Sequence, residues 1–444
     1  LEITSACAKY LKEKGISQEY GAREINRVIN TEIKPLLVDK ILFGKLKKGG
    51  NCVVDYVNEI DDELEIEQIS DEEAYPFITW VGEEVDEAYY KAVMGIEINP
   101  GLDKSDFKIV YSPQHGADNI PVRTCLKRLG YDIVPVLAQC APDPDYTNTK
   151  SPNPEVDASY ELAIKLAKEV DADVVAITDP DGDRLGVVAK HNGEYVLMSG
   201  NQSAAVYLEY ILSQRKEKGT LPDNAVMYNT IVTSDLGELV ARNYGVDVEK
   251  TLTGFKFIGD KIRKYEKTHE KQFIFGYEES YGCVVEDFVR DKDAVQAVLL
   301  AAECGNYYKK QGKDLIDVLN ELYAKYGTFK ESQIALAKAG AAGAARIKEM
   351  MDTLRQDKPT EIGGVKVVLS EDYATSERSD GTTIDLPKSN VLKYYLEDGS
   401  WIAARPSGTE PKCKFYFSIK GKDAKDAADK TEVFHKAMME LIGE

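Results

Sequence analysis

Between Thr178 and Gly186 the chain reads Thr-Asp-Pro-Asp-Gly-Asp-Arg-Leu-Gly, directly after the apolar run Val174–Ile177. Three carboxylates at every second position repel one another unless a cation or a strong partner neutralises them. In an extended loop, residues at i, i+2 and i+4 point to one side. Asp179, Asp181 and Asp183 are therefore candidate oxygen ligands for a hard cation such as Mg²⁺, and Arg184 beside them suits a phosphate oxygen sharing that metal. A calcium hand also starts with alternating aspartates, but it needs glycine at its sixth position and an acid at its twelfth. Those positions hold Arg184 and Lys190. A phosphatase of the haloacid-dehalogenase type, whose aspartyl nucleophile follows a strand, is the better rival, and a solvated acidic turn is the bland one.

Two further loops carry usable groups. Gly-Tyr-Glu-Glu-Ser-Tyr-Gly, residues 276–282, places Glu278 and Ser280 between glycines, where they can hydrogen-bond vicinal hydroxyls of a sugar; a plain acidic turn is its ordinary alternative. Arg-Pro-Ser-Gly-Thr-Glu-Pro-Lys, residues 405–412, offers hydroxyls and backbone N–H groups from Ser407, Gly408 and Thr409, with Arg405 supplying a two-pronged charge for an anion. Thr253, Gly254 and Lys256 sit on another loop, Thr-Gly-Phe-Lys, in which the lysine alone reads as a surface residue.

The rest of the chain must hold these loops in place. At 444 residues it is too long for one core, and about three domains are expected. From about residue 72, strand-like and helix-like segments alternate, as in Lys108–Ser112, Pro121–Gly130, Tyr131–Ala138, Tyr160–Ala172 and Val174–Thr178. Such alternation predicts α/β domains with largely parallel sheets, whose ligand loops lie at the carboxyl ends of strands. The rhythm repeats through residue 325, after which an alanine-rich helix and several strands suggest a smaller α+β domain. The first seventy residues differ in texture. Ile25, Val28, Ile29, Ile33, Leu36, Leu37 and Ile41 fall near helical spacing, and the segment reads as helical with short strands. An acidic stretch at 58–73 separates it from the alternating region. The expected bodies are 1–70, 75–197, 198–325 and 326–444.

The formal net charge of −20 argues against nucleic acid or an anionic membrane as the main partner. No apolar run approaches a membrane span and no leader peptide is visible. Seven scattered cysteines with no paired spacing are expected to be reduced thiols in a cytoplasmic protein. The chain opens on Leu1, which fits a fragment or a processed product.

Taken jointly, the loops resemble the α-D-phosphohexomutase family, the phosphoglucomutases and phosphomannomutases, from about residue 75 to the end. The resemblance implies Mg²⁺ on Asp179, Asp181 and Asp183, with Arg184 beside a phosphoserine. It implies Glu278 and Ser280 gripping sugar hydroxyls. Arg405, Ser407, Gly408 and Thr409 would hold the non-reacting phosphate, and Thr253, Gly254 and Lys256 would form a further substrate loop. Lys292 matches a lysine proposed as general acid/base, and the Ser-Pro-Gln-His-Gly-Ala-Asp segment around His115 looks like a variant of a second-domain motif. The implied partners are hexose phosphates, with glucose favoured by the form of the 276–282 loop, and glucose 1,6-bisphosphate is the implied activator. Family members also carry a first domain with a phosphorylated serine in a Ser-His-Asn loop, and that tripeptide occurs nowhere in the 444 residues. In its place, residues 20–50 resemble the C-terminal small domain of Clp-type AAA+ unfoldases, with Arg23 matching their sensor arginine; the chain holds no P-loop. The expectation is a truncated or fused mutase, inactive alone, with a nucleophile-bearing first domain or a Clp-type partner supplied in trans.

Overall fold

A computed structural model describes residues 75–79, 81–338, 340–407 and 411–444, with short pieces at 2–3, 7–9, 11 and 53–54. In the N-terminal pieces, β1 (Glu2–Ile3) pairs in parallel with β2 (Val53–Val54), and Cys7 and Leu11 are buried. Arg23 and most of the Clp-like segment lie outside the described residues.

The first α/β body begins with α1 (Glu83–Met94) and continues through β3 (Lys108–Ser112), α2 (Asn119–Arg128), β4 (Asp132–Pro135), α3 (Glu161–Val170), β5 (Val174–Thr178), β6 (Leu185–His191) and β7 (Glu194–Met198). Its sheet runs β4-β3-β5-β6-β7. β3 pairs in parallel with β4 and β5, whereas β6 and β7 are antiparallel additions. Val174–Thr178 is buried throughout, as the apolar run of a central strand requires. The β6–β7 hairpin turns at Asn192 and Gly193, both at positive φ (50° and 83°), the Asn-Gly pair that matches the twist of a tight hairpin.

The second body comprises α4 (Gly200–Glu217), β8 (Ala225–Thr230), α5 (Leu236–Asn243), β9 (Asp247–Thr251), α6 (Phe255–Thr268), β10 (Gln272–Tyr277), β11 (Cys283–Val284), α7 (Ala294–Lys309) and α8 (Leu315–Tyr326). Its sheet order is β11-β10-β8-β9, parallel except for β11. α4 and α7 are buried on nearly all faces. Both helices sit inside one continuous core shared by both bodies, which includes Tyr90, Phe107 and Leu322. Gly305 of α7 packs against Phe107, so the contact leaves no room for a Cβ.

The C-terminal body starts at β12 (Thr328–Ala337), followed by α9 (Gly340–Gln356), β13 (Glu361–Ile362), β14 (Val365–Asp372), β15 (Glu377–Arg378), β16 (Leu392–Leu396), β17 (Trp401–Pro406), β18 (Lys412–Gly421) and α10 (Ala424–Ile442). The sheet order β12-β18-β17-β16-β14-β13 is antiparallel throughout, with α9 and α10 covering its apolar face. A separate cluster of Ile231, Val232 and Leu252 with Tyr373, Trp401 and Tyr416 joins the second body to the C-terminal one. Among the described residues no helix is long and apolar enough to cross a membrane; Cys125, Cys140, Cys283, Cys304 and Cys413 are free thiols, buried like Cys7.

Candidate functional site

The turn between β5 and β6 carries the three aspartates. It is not extended, as the alternation alone suggested. Gly182 takes φ +73°, and Asp179 Oδ1 accepts the backbone N–H groups of Asp183 (3.0 Å) and Arg184 (2.9 Å). The turn, rather than strand alternation, brings one oxygen from each of Asp179, Asp181 and Asp183 within 4.8 Å of the others. Asp179 is buried, Asp183 half-buried and Asp181 exposed. Burial pushes the Asp179 carboxyl up to about 7, with the neighbouring Asp183 and Asp181 charges adding to it. Asp183 Oδ1 is buried without a hydrogen-bond donor. A hard divalent cation fits this all-oxygen, under-donated set.

Two cations flank the turn. Lys292 Nζ lies 2.7 Å from Asp183 Oδ2, and Arg184 Nε lies 3.4 Å from Asp179 and 3.5 Å from Asp183. Burial works to lower the Lys292 pKa, but the Asp183 carboxylate prevails and raises it, so the ammonium stays charged. Lys292 reaches the turn along Gly282, where a Cβ would lie 2.1 Å from its Cδ.

The hydroxyl-bearing loop is tied to the same turn through the backbone. Arg184 and Gly282 form an antiparallel bridge, Leu185 N–H donates to Tyr281 O (3.0 Å), and Ala294 N–H donates to Gly182 O (3.0 Å). In this loop Glu278 is buried, and its Oε1 accepts from the Gly254 N–H at 2.7 Å. That bond joins the Glu278 loop to the Thr-Gly-Phe-Lys loop. Gly254 has φ +118° and caps α6, a conformation open to glycine. Burial raises the Glu278 pKa and pushes the Glu279 carboxyl up to about 7, with the charge of Glu278 next in effect. Thr253 Oγ1 is buried and unpartnered, Ser280 is half-buried, and Lys256 is exposed, its Nζ 5.0 Å from the Phe257 ring centroid.

Arg405 closes β17 and is half-buried. Burial, and then the nearby charge of Glu279, raise the pKa of Tyr416 on the neighbouring strand β18, so this end of the β17–β18 pair lies near the Glu278 loop. Ser407 N–H donates to Lys412 O (2.7 Å), which closes the turn. Gly408 and Thr409 lie outside the described residues. The segment of His115 packs on the aspartate turn, with Ala117 N–H donating to Pro180 O (3.0 Å), while His115 itself is buried, with φ +64°, its Nδ1 2.7 Å from Ala141 O.

Three acids not named as site residues from sequence complete the picture, although Asp118 ends the Ser-Pro-Gln-His-Gly-Ala-Asp segment. Asp118 is buried with Oδ2 unpartnered, and its Oδ1 lies 2.4 Å from where a Cβ on Gly182 would sit. Burial, then Asp293 and Asp179, push its carboxyl to about 7. Asp293 accepts from the Tyr89 hydroxyl, 2.9 Å from each oxygen. Glu155 Oε1 holds Arg184 Nη1 at 3.1 Å. The only sequence signal for Glu155 was its place after Ser-Pro-Asn-Pro, a segment too proline-rich to be helical.

Comparison with known proteins addresses the family of the chain. The phosphoglucomutase/phosphomannomutase alpha/beta/alpha domain II profile matches residues 87–193, domain III 199–326 and the C-terminal domain 341–434, while residues 1–54 match the C-terminal, D2-small domain of ClpB protein. Phosphoglucomutase from Staphylococcus haemolyticus is 36% identical over 376 residues, covering 83% of this chain and 67% of that protein. The Staphylococcus epidermidis enzyme is 38% identical over 346 residues, covering 76% and 62%. The chain therefore spans about two thirds of the length of these relatives. In fold it resembles the open form of parafusin, a phosphoglucomutase from Paramecium (TM-score 0.61, 18% identity, 81% of this chain and 63% of that one). It also resembles a phosphoglucomutase/phosphomannomutase family protein from Burkholderia thailandensis (TM-score 0.56, 18% identity, 80% and 64%). With three domain profiles in sequence and curated relatives above 35% identity, the chain belongs to the phosphoglucomutase/phosphomannomutase family.

Proposed function

We propose that this chain forms the cation-, sugar- and phosphate-binding part of a Mg²⁺-dependent phosphoglucomutase that interconverts glucose 1-phosphate and glucose 6-phosphate. The observation that carries this reading is the backbone bridge from Arg184 to Gly282, which fixes the aspartate turn against the Glu278 loop. Asp179, Asp181 and Asp183 would hold Mg²⁺, which when bound neutralises charge on a transferring phosphoryl group. Arg184 places a guanidinium beside that group. Lys292, held charged by Asp183, is the proton donor or charge partner at the leaving oxygen. Glu278 and Ser280 accept and donate to adjacent sugar hydroxyls, and Thr253, Gly254 and Lys256 border that pocket. Arg405, with Ser407, Gly408 and Thr409, grips the phosphate at the far end, and glucose 1,6-bisphosphate serves as activator.

Phosphoryl transfer depends on an in-line nucleophile close to the metal. No Ser-His-Asn loop occurs in the 444 residues, so the nucleophile is expected from a domain outside them, and these residues by themselves are expected to bind sugar phosphate without turning it over. The match of residues 1–54 to the ClpB small domain favours a Clp-type partner as a second association. A coupled assay of the chain with glucose 1-phosphate, glucose 1,6-bisphosphate and Mg²⁺ tests the reading beside titration of glucose 1-phosphate binding. Binding without turnover above an Asp181→Ala control supports it. Absence of both binding and turnover removes it.

A further inference from the structure

Arg184 sits in a contest. Its guanidinium is the cation nearest Asp179, and beyond Lys292 the nearest to Asp183, yet it does not close on either. Nε stops at 3.4 Å from Asp179 Oδ2 and 3.5 Å from Asp183 Oδ1, and it remains buried without a hydrogen-bond acceptor. The side chain's one short contact is with Glu155 Oε1, 3.1 Å from Nη1. Glu155 is held by a stiff loop. Its N–H donates to Asn153 Oδ1 (3.0 Å), and Ser159 Oγ donates to Ser151 O (2.6 Å) and Asn153 O (2.7 Å). Tyr160 hydroxyl donates to Pro154 O (2.7 Å) and packs on Gly186 so closely that a Cβ there would overlap it. The loop is therefore anchored to β6 two residues beyond Arg184.

We infer that Glu155 is a positioning residue: it tethers the Arg184 guanidinium away from Asp179 and Asp183, so that the arginine does not occupy the place of the cation. Removing the tether lets the loose ion pairs of Arg184 with the two aspartates, at 3.4 and 3.5 Å, close into charge-assisted hydrogen bonds, and a divalent ion must then displace them. Glu155 acts here through Arg184. The inference rests on the reading that Asp179, Asp181 and Asp183 bind a divalent cation.

Mn²⁺ binding to the full chain, followed by electron paramagnetic resonance, tests both. Wild-type binding that Asp181→Ala abolishes supports the cation site; no binding by wild type overturns that reading, and the tether with it. Given the site, Glu155→Gln is expected to weaken Mn²⁺ about tenfold, equivalent to about 1.4 kcal/mol. The same substitution in an Arg184→Gln background is expected to change affinity less than about twofold, the non-additivity of residues that act through one contact. A shorter side chain that keeps its charge, Glu155→Asp, cannot span the gap and is expected to behave like Glu155→Gln. An equal loss with and without Arg184, or full affinity in Glu155→Asp, would show that Glu155 acts only through its field. Unchanged affinity in Glu155→Gln would likewise overturn the tether. If Glu155→Gln does not fold, the Glu155→Asp comparison in both backgrounds decides alone.

Discussion

Lys393 is the most exposed prediction of the structure, although the side chain itself is fully buried. It lies in β16 at the seam between the second and C-terminal bodies. Its Nζ donates to Ile231 O at 2.7 Å and sits 3.9 Å from the Trp401 ring centroid and 4.7 Å from that of Tyr395. Burial lowers its pKa from 10.5 to about 7, Lys250 pushes the same way, and Asp235, Glu238 and Glu371 oppose. A base whose folded pKa lies below its unfolded one binds its proton more tightly in the unfolded chain. Stability must then rise with pH between about 7 and 10.5, by up to about 1.4 kcal/mol per pH unit, and this group contributes no slope below 7. The full cost at or below pH 7 is on the order of 5 kcal/mol. Lys393→Met removes that cost but orphans the Ile231 carbonyl, worth about 1–3 kcal/mol. The variant should therefore be more stable than wild type by about 2–4 kcal/mol at pH 7, and less stable near pH 10.5. Urea unfolding from pH 6 to 10, read by tryptophan fluorescence, measures the crossing. A wild-type stability that is flat over that range, or a variant weaker at every pH, would refute the reasoning and mean that the three carboxylates keep the buried ammonium charged.

Three shorter predictions concern the site. Asp181→Ala removes the exposed member of the aspartate triad; Mn²⁺ affinity should fall at least about tenfold while stability moves by less than about 0.5 kcal/mol, as a surface change does. Gly182→Ala places a Cβ 2.4 Å from Asp118 Oδ1 at φ +73°; urea melts should show a loss of about 1–3 kcal/mol, with weaker Mn²⁺ binding because the turn shifts. Arg405→Lys replaces a two-pronged donor with a point charge, and calorimetric titration with glucose 1-phosphate should show a loss of about tenfold without change in Mn²⁺ affinity.

Much of this was legible because the chemistry is written in short contiguous loops. Asp179–Arg184 and Glu278–Ser280 each sit between a strand and the next element, Arg405 lies near the end of β17, and the buried run Val174–Thr178 could be read from its apolar residues alone. What sequence did not give depends on distance along the chain. Asp118 and Glu155 come from loops 61 and 29 positions before Asp179 and Arg184 respectively, counting 179 − 118 and 184 − 155, and only the sheet order brings them to the turn. The β6–β7 hairpin carried an Asn-Gly signal at Asn192 and Gly193, but the alternating pattern there was overshadowed by the charged residues around it. The convergence of the three aspartates was expected for the wrong reason: a turn about Gly182 achieves it, with Asp179 Oδ1 as its internal fastener. The seam at Lys393 had no local signal, since a lysine between Leu392 and Tyr394 reads as an outward-facing strand residue.

The bridge between Arg184 and Gly282, together with the core that runs through α4 and α7, makes the first two bodies one mechanical part. Arg405 rides on the other, joined through the smaller cluster around Trp401. A sugar phosphate held, as proposed, by both the Glu278 loop and Arg405 would span the two parts, and its length, more than the identity of any one hydroxyl, would decide whether it reaches both.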